Sequence, residues 1–366
     1  MNVVFTGGGT GGHLYPAIAI ADALAARGAT VTFIGSADRL EATIVPNAGY
    51  PLVTVASGPL TRSASVKVLR SGFANVTGVV QAASALRRIK PDMVIATGGY
   101  VCFPVVLAAS ILRMHPIALL EPNAHPGLTN RMLASLVDEV WGAFPEGDKH
   151  FAGKYVHTGI PVRASLCSLP SRDEALARLG LSSKRKTILA MGGSQGARSI
   201  NDALASLIKT GGLPEGWQLI QVTGEKEYDR VRGLLREARD DTPVVRPYLH
   251  DLSDAYAAAD FVLSRAGAST LGELAATGKP SVLVPYPHAA DDHQRFNAEM
   301  VAKAGAAIVV DDRELEAGKL RTILADATRP ARFEALSQAA ERVRAADPVA
   351  TILARVEALS AGKIRQ

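Results

Sequence analysis

Cysteine is scarce in this chain. Cys102 and Cys167 are its only two in 366 residues, too few for a disulfide framework, and both lie near apolar segments, which favours a reduced, cytosolic setting. Aromatic residues make up only 5% of the sequence, and no basic stripe is interleaved with them, so nucleic acid is not expected as a partner. No basic stretch followed by an apolar one opens the chain, and no signal peptide is expected. The longest apolar run, Val101 to Leu112, is broken by Pro104 and stopped by Arg113. It falls well short of the ~20 residues that span a bilayer. Charge is close to balanced, 40 Lys and Arg against 35 Asp and Glu, and the net +5 favours anionic partners such as phosphates or lipid headgroups.

What is present is a regular alternation. Short β-rich runs, Val3 to Phe5, Val31 to Ile34, Leu52 to Val55, Met93 to Ala96, Ile117 to Leu120 and Val140-Trp141, are separated by longer helical patterns. Runs apolar on both faces and spaced by helices imply a parallel sheet covered on both sides. After a loop expected at about His157 to Pro170 the pattern restarts, with runs at Thr187 to Met191, Leu219 to Val222, Phe261 to Leu263, Ser281 to Val284 and Ile308 to Val310. The expectation is an α/β chain of two doubly wound, Rossmann-like domains, 1–162 and 163–341. The alanine-rich segment from Ala331 to Ala361 is helical in period, and its last part, about 342–366, is expected to pack back on the first domain. In such sheets ligands bind at the carboxyl ends of the strands, and the cleft that two facing sheets would form is the default site.

Five glycines fill the six positions Gly7 to Gly12, directly behind the first strand. The loop contains G-x-G-x-x-G, but the second strand ends Phe33-Ile34-Gly35-Ser36 without the carboxylate a nicotinamide ribose needs, and no Gly-Lys-Ser/Thr follows to make a P-loop. What remains is a helix N-terminus with bare backbone, favourable to negative charge or a lone pair. His13 sits in its first turn, either as a neutral proton acceptor or as a ring that merely holds the loop. Gly192 to Ala197 repeats the arrangement, either as tight packing or as a phosphate cradle in which Ser194 donates a hydrogen bond. In Ser264 to Glu273, Thr270 and Glu273 have the spacing of a capping box; the rival reading gives the Glu273 carboxylate two ribose hydroxyls. Asp291 and Asp292 are candidate N-caps before His293 and Gln294. With no Asp-x-Asp in the chain, no dedicated metal site is expected.

Taken together, GGTGGH (Gly8 to His13), TGGY (Thr97 to Tyr100), GLTNR (Gly127 to Arg131), GIPVR (Gly159 to Arg163), GGSQGAR (Gly192 to Arg198), SRAGASTLGE and DDHQRFNA closely resemble the MurG family of N-acetylglucosaminyltransferases, in the family's order and over nearly the whole chain. The resemblance implies a GT-B fold and an inverting transfer of N-acetylglucosamine from UDP-N-acetylglucosamine (UDP-GlcNAc) to the 4-hydroxyl of the muramoyl sugar in lipid I, the undecaprenyl-diphosphate muramoyl-pentapeptide. The product would be lipid II. It implies no cofactor, since the sugar nucleotide is a substrate, and a peripheral position on the cytoplasmic face of the bacterial inner membrane, alongside other cell-wall synthesis proteins.

Carried over by position, Arg163 and Ser194 contact the donor diphosphate, the Leu249 backbone reads the uracil, Ala268, Ser269 and Thr270 form the diphosphate turn, Glu273 clamps the ribose, and Gln294 with His293 holds the sugar hydroxyls. Thr10, Gly11, Gly12 and Asn123 are implied for both substrates, with Tyr100 and Asn130 on the acceptor side. His13 is the first candidate for the base, ahead of Glu121 or a water held by Asn123. The chain departs from the family at Leu120 and Pro122, where a His and a Gln are common, and proline removes both an N–H and an amide side chain. A lipid acceptor also implies docking on an anionic membrane surface. The stretch Val66 to Val80 with Lys67 and Arg70, followed by Arg87, Arg88, Lys90 and Arg113, suits that role or that of a core-facing helix with a solvated basic end. A UDP-GlcNAc 2-epimerase, another GT-B transferase and a non-catalytic cell-wall scaffold are the alternatives.

Overall fold

Runs of Val, Ile, Leu and Phe with no polar face become strands here because both of their faces are covered. The computed structural model describes residues 1–59, 66–151, 153–193, 196–236, 243–344 and 347–364, the side chains of 66–70 and 363–364 excepted. Contacts divide the chain into two units, Met1–Arg163 with Ala346–Gln366, and Ala164–Ala345.

In the first unit, β1 (Asn2–Thr6), β2 (Thr30–Gly35), β3 (Leu52–Thr54), β4 (Met93–Ala96), β5 (Ile117–Glu121), β6 (Glu139–Gly142) and β7 (Tyr155–His157) form one parallel sheet in the order β3-β2-β1-β4-β5-β6-β7. In the second, β8 (Lys186–Met191), β9 (Trp217–Val222), β10 (Val244–Arg246), β11 (Phe261–Ser264), β12 (Ser281–Leu283) and β13 (Ala307–Val309) follow the order β10-β9-β8-β11-β12-β13. Each is doubly wound, with the chain reversing direction of travel beside its first strand. That places a switch point between β1 and β4, and another between β8 and β11.

Alternate residues of the first sheet supply two cores. Val4, Val94, Leu119 and Val140 face one helical layer, while Val3, Phe5, Ile95, Leu120 and Trp141 face the other. The second layer is completed by the helix Pro348–Ile364, whose Ile352, Leu353 and Val356 are buried in it at helical spacing. Arg355 of the same helix pairs with the buried Glu139 carboxylate, which also accepts the Trp141 indole N–H at 2.9 Å.

The helical segment from Ala331 to Ala361 comprises two helices, Pro330–Arg342 and Pro348–Ile364, belonging to different units. Strands β7 and β10 were not expected. Each is a three-residue edge strand that ends on a basic side chain, so neither carries the continuous apolar run that marks its central neighbours.

Ile352 is fully buried, and Ile352→Ala removes three methyl-sized groups from a filled core. Urea unfolding of the first unit is expected to show a loss of about 2–5 kcal/mol; a loss below about 1 kcal/mol would mean that the helix adds little to that core.

Candidate active site

At the end of β1 the chain turns through Gly7 to Gly9 into the helix Gly11–Ala26. Its N-cap, Thr10, is extended (φ −140°, ψ 156°) and makes no side-chain cap, although its carbonyl accepts the His13 and Leu14 N–H groups. The first turn therefore keeps its partial positive charge without a carboxylate or hydroxyl to offset it. Beside it, β4 ends in a second glycine turn, with Gly98 and Gly99 at φ 103° and 91°. Gly8 N–H donates to Gly98 O at 3.1 Å, and the imidazole of His13 packs so closely on Gly98 that a Cβ there would lie 2.5 Å from Nδ1. Both glycine turns need their glycines to lie on one another. Tyr100, 46% exposed, follows directly on the second turn.

A residue outside every motif quoted above holds this loop. The Glu41 carboxylate is buried, accepts N–H bonds from Gly9 (2.9 Å) and Ser36 (3.1 Å), and occupies the space a Gly8 side chain would need. The sequence reading looked for a carboxylate on the last residues of β2; this one arrives five residues later, from the following helix, and is spent on the protein's own backbone. Cys102 is equally structural. Its thiol donates within the Thr6 and Gly98 turn, and burial pushes its pKa up to about 12, which keeps it protonated and inert.

Glu121 ends β5 and is 2% exposed. Its two oxygens accept Asn123 N–H (3.0 Å), Asn123 Nδ2 (3.1 Å), Gly127 N–H (3.3 Å) and Asn130 Nδ2 (2.8 Å). Asn130 is buried, and Asn123 stands half-exposed at the mouth of the loop. Burial pushes the Glu121 carboxyl up to about 7, against the pull of those donors. Arg163, the last residue of the first unit's opening segment, stacks its guanidinium 4.4 Å from the ring centroid of Tyr15 on the glycine-loop helix. Thr10 to His13 and Tyr100 thus share the ends of adjacent β1 and β4, Glu121, Asn123 and Asn130 gather at the next strand, and Arg163 lies against the first helix.

In the second unit the glycine loop behind β8 is fixed by Gly196, at φ 74°, against the Thr223 carbonyl. The buried chain Gln221 to Asn201 to Thr223 O, at 2.9 and 3.1 Å, holds the loop's far side. Ser194 lies outside the described residues. Ala268, Ser269 and Thr270 form the first turn of the helix Ala268–Thr277, again with no side-chain cap. Leu249 lies half-buried in the loop after β10.

The expected capping box is absent, because Thr270 is already inside that helix and Glu273 instead accepts the hydroxyl of the buried Tyr256 at 2.9 Å. Nor do the two aspartates cap. Asp291 and Asp292 are left-handed (φ 49° and 52°), and Asp292, at the N-cap of the helix His293–Lys303, turns its carboxylate toward Arg295. His293 bonds the Ala290 carbonyl through Nδ1 at 2.7 Å, and Gln294 accepts Tyr286 N–H at 3.0 Å with its Nε2 facing the Gly267 turn. Arg265, buried beneath the same turn, reaches Ser199 at 3.1 Å and pairs with Asp312, joining three loops at the carboxyl edge of the sheet. Among the described residues no group of three or more His, Cys, Asp or Glu is placed to hold a metal.

Each unit thus has a helix start without a side-chain cap behind a glycine-bearing turn, a feature suited to anionic ligands. Residues 3–141 match the glycosyltransferase family 28 N-terminal domain, and residues 187–352 match its C-terminal domain. A protein of Moorella thermoacetica named UDP-N-acetylglucosamine–N-acetylmuramyl-(pentapeptide) pyrophosphoryl-undecaprenol N-acetylglucosamine transferase is 42% identical, covering 99% of this chain and 97% of its own. One of the same name from Halothermothrix orenii is 41% identical over 94% and 95%. The crystal structure of Acinetobacter baumannii MurG superposes with a TM-score of 0.77 at 27% identity, covering 97% of this chain and 99% of that one. The chain belongs to the MurG family. Its fold is accordingly GT-B, two doubly wound α/β units, and the MurG motifs named from sequence occupy the carboxyl ends of their strands. What the motifs did not disclose are Glu41 and Tyr256, which act on motif residues from elsewhere in the chain, and the bracing role of Arg265 within its own motif.

Because the Glu121 pKa is raised from 4.5 to about 7, the folded chain keeps a proton that the unfolded chain has lost in that window. Stability at this site is full below about pH 4.5 and declines as pH rises through 7. Glu121→Gln should flatten that slope, by up to about 3 kcal/mol across the window, in urea unfolding followed from pH 4.5 to 8. Identical slopes would place the titration elsewhere.

Proposed function

We propose that this chain transfers N-acetylglucosamine from UDP-N-acetylglucosamine to the 4-hydroxyl of the muramoyl sugar in lipid I, with inversion at the anomeric carbon, to give lipid II. The observation that carries the reading is the near-full-length match to relatives named for this transfer, joined to an uncapped helix start that presents His13 beside the second glycine turn.

Inversion needs in-line attack by a hydroxyl, a base for its proton and stabilisation of the departing nucleotide. His13 is our base, half-buried at the positive end of a helix that disfavours the cationic ring and so keeps it ready to accept a proton. Glu121 supports it from a distance, since its oxygens are committed to Asn123, Asn130 and the loop backbone; it sets the position of Asn123, which then meets the acceptor. The first turn at Gly11 and Gly12 with Thr10, and the exposed Tyr100, complete the acceptor side. On the donor side the helix start at Ala268 to Thr270, Ser194 and Arg163 stabilise the diphosphate charge that grows as the bond breaks. Glu273, oriented by Tyr256, receives the ribose, the Leu249 backbone the uracil, and Gln294 with His293 the sugar. The positive potential comes from the protein's own dipoles and guanidinium, and UDP-N-acetylglucosamine is a substrate.

We also propose that the first unit docks on an anionic membrane surface, peripherally and from the cytoplasmic side. Among the described residues no helix is long and apolar enough to cross a membrane. The helix Val66–Ile89 exposes Phe73 (78%), Val76 (65%) and Val80 (67%) along one stripe, with Arg87, Arg88 and Lys90 at its end. Arg113 and the exposed Ile111 follow on the helix packed against it. Each basic side chain near anionic lipid is worth about 1 kcal/mol.

Labelled sugar is expected to pass to a short-chain lipid I analogue in EDTA as in its absence, while donor alone yields no 2-epimer; epimer without transfer would replace this reading. In the same assay His13→Ala should lower kcat by roughly 10²- to 10⁴-fold with the donor KM little moved. Turnover near wild type would remove His13 as the base. For docking, Phe73→Ser with Val76→Ser and Val80→Ser should release the protein from vesicles containing phosphatidylglycerol. Undiminished cosedimentation would assign that stripe to some other contact.

A further inference from the structure

Outside the residues given roles above, the carboxyl edge of the first sheet carries a set of basic side chains, Arg131 and Lys149 with two imidazoles. His125 lies in the loop after β5 and His150 in the turn of helix Asp148–Phe151 after β6; their rings meet edge to face with centroids 5.8 Å apart. Arg131 follows Asn130 on the helix Leu128–Leu133, and Lys149 precedes His150. Burial, and then the charges of Lys149, His125 and Arg131, push the His150 pKa down and keep its ring neutral, a hydrogen-bonding partner beside the two permanent charges. The Nε of Arg131 is sealed from solvent with no hydrogen-bond partner, and among the described residues no carboxylate stands within ion-pair distance of its guanidinium. Arg131 as a whole is only half-buried, so its permanent positive charge stays open to an anion, which its terminal nitrogens would hold by charge-assisted hydrogen bonds.

We propose that Arg131, His125, His150 and Lys149 form a subsite for a carboxylate on the peptide of the acceptor. The inference rests on the transferase reading above and extends it to the peptide, to which no residue was assigned; Arg131 closes the GLTNR motif without a role until now. Position favours the peptide over the acceptor's other anion, the diphosphate. The uncapped helix start behind β1 already suits a diphosphate, whereas the basic set lies at β5 and β6, two to three strands along the same edge, or about 10–15 Å. Five extended residues reach about 17 Å, enough to carry a carboxylate from a sugar near β1 and β4 to this set.

The test compares two soluble lipid I analogues that differ only in whether the peptide carboxylates are free or amidated. Wild type is expected to use the free form about tenfold better, mainly through acceptor KM, as befits a charge-assisted contact. Arg131→Met should erase the preference and Arg131→Lys should restore part of it; His125→Gln with His150→Gln is a second, independent variant that should weaken the preference should Arg131→Met fail to fold. Equal use of both analogues by wild type, or a variant that loses equally on both, overturns the subsite and points to the diphosphate or the sugar. No transfer to either analogue by wild type overturns the transferase reading and the subsite with it.

Discussion

The first unit's site depends on two backbones touching. Gly8 and Gly98 bond directly, and the space between the turn behind β1 and the turn behind β4 is already filled by the His13 ring on one side and the Glu41 carboxylate on the other. No side chain larger than hydrogen fits at Gly8, Gly98 or Gly99, so glycine is demanded here by a close approach as much as by φ. The consequence is that a histidine on one loop and a tyrosine beside the other are set by the same contact. The rest of the first unit's candidate site, up to Asn123, is then built outward from this pair along adjacent strand ends.

A second regularity is that buried polar groups do the aiming. Glu121 is surrounded by four donors, Asn201 joins Gln221 to the Thr223 carbonyl, and Arg265 ties three loops together in the second unit. Each is a network at least partly withdrawn from water, and such networks resist rearrangement because breaking one bond strands another group. The half-exposed Asn123 inherits its orientation from Glu121, a partner that is almost fully buried.

This division explains what could be read from the sequence. The central strands announce themselves, since Val3 to Phe5 or Phe261 to Leu263 are apolar on both faces whatever surrounds them. Glycine turns are equally visible, because only glycine adopts their conformation. Glu41 is invisible for the opposite reason: a glutamate at the start of a helix is unremarkable locally, and its purpose appears only when the fold brings Gly9 to it from 32 residues away. Thr270 and Glu273 show the reverse error, a local spacing that suggests a cap, overridden by Tyr256 reaching Glu273 across the unit. The edge strands β7 and β10 escaped because Tyr155-Val156-His157 and Val244-Val245-Arg246 each end on a basic side chain and lack the aliphatic run that made the equally short β3 and β13 legible.

The return of the helix Pro348–Ile364 to the first unit has a consequence for biosynthesis. A ribosome finishes the opening segment at Arg163, but Ile352, Leu353 and Val356, which close one of that unit's two cores, emerge only after the entire second unit. At about 5–20 residues per second the interval is on the order of ten to forty seconds. During it the faces of Val3, Phe5 and Trp141 that this helix covers lack their lid, so the first-made half of the protein is the last to be finished, and the nascent chain is most open to chaperones along the helix Gly11–Ala26 that this last helix packs against.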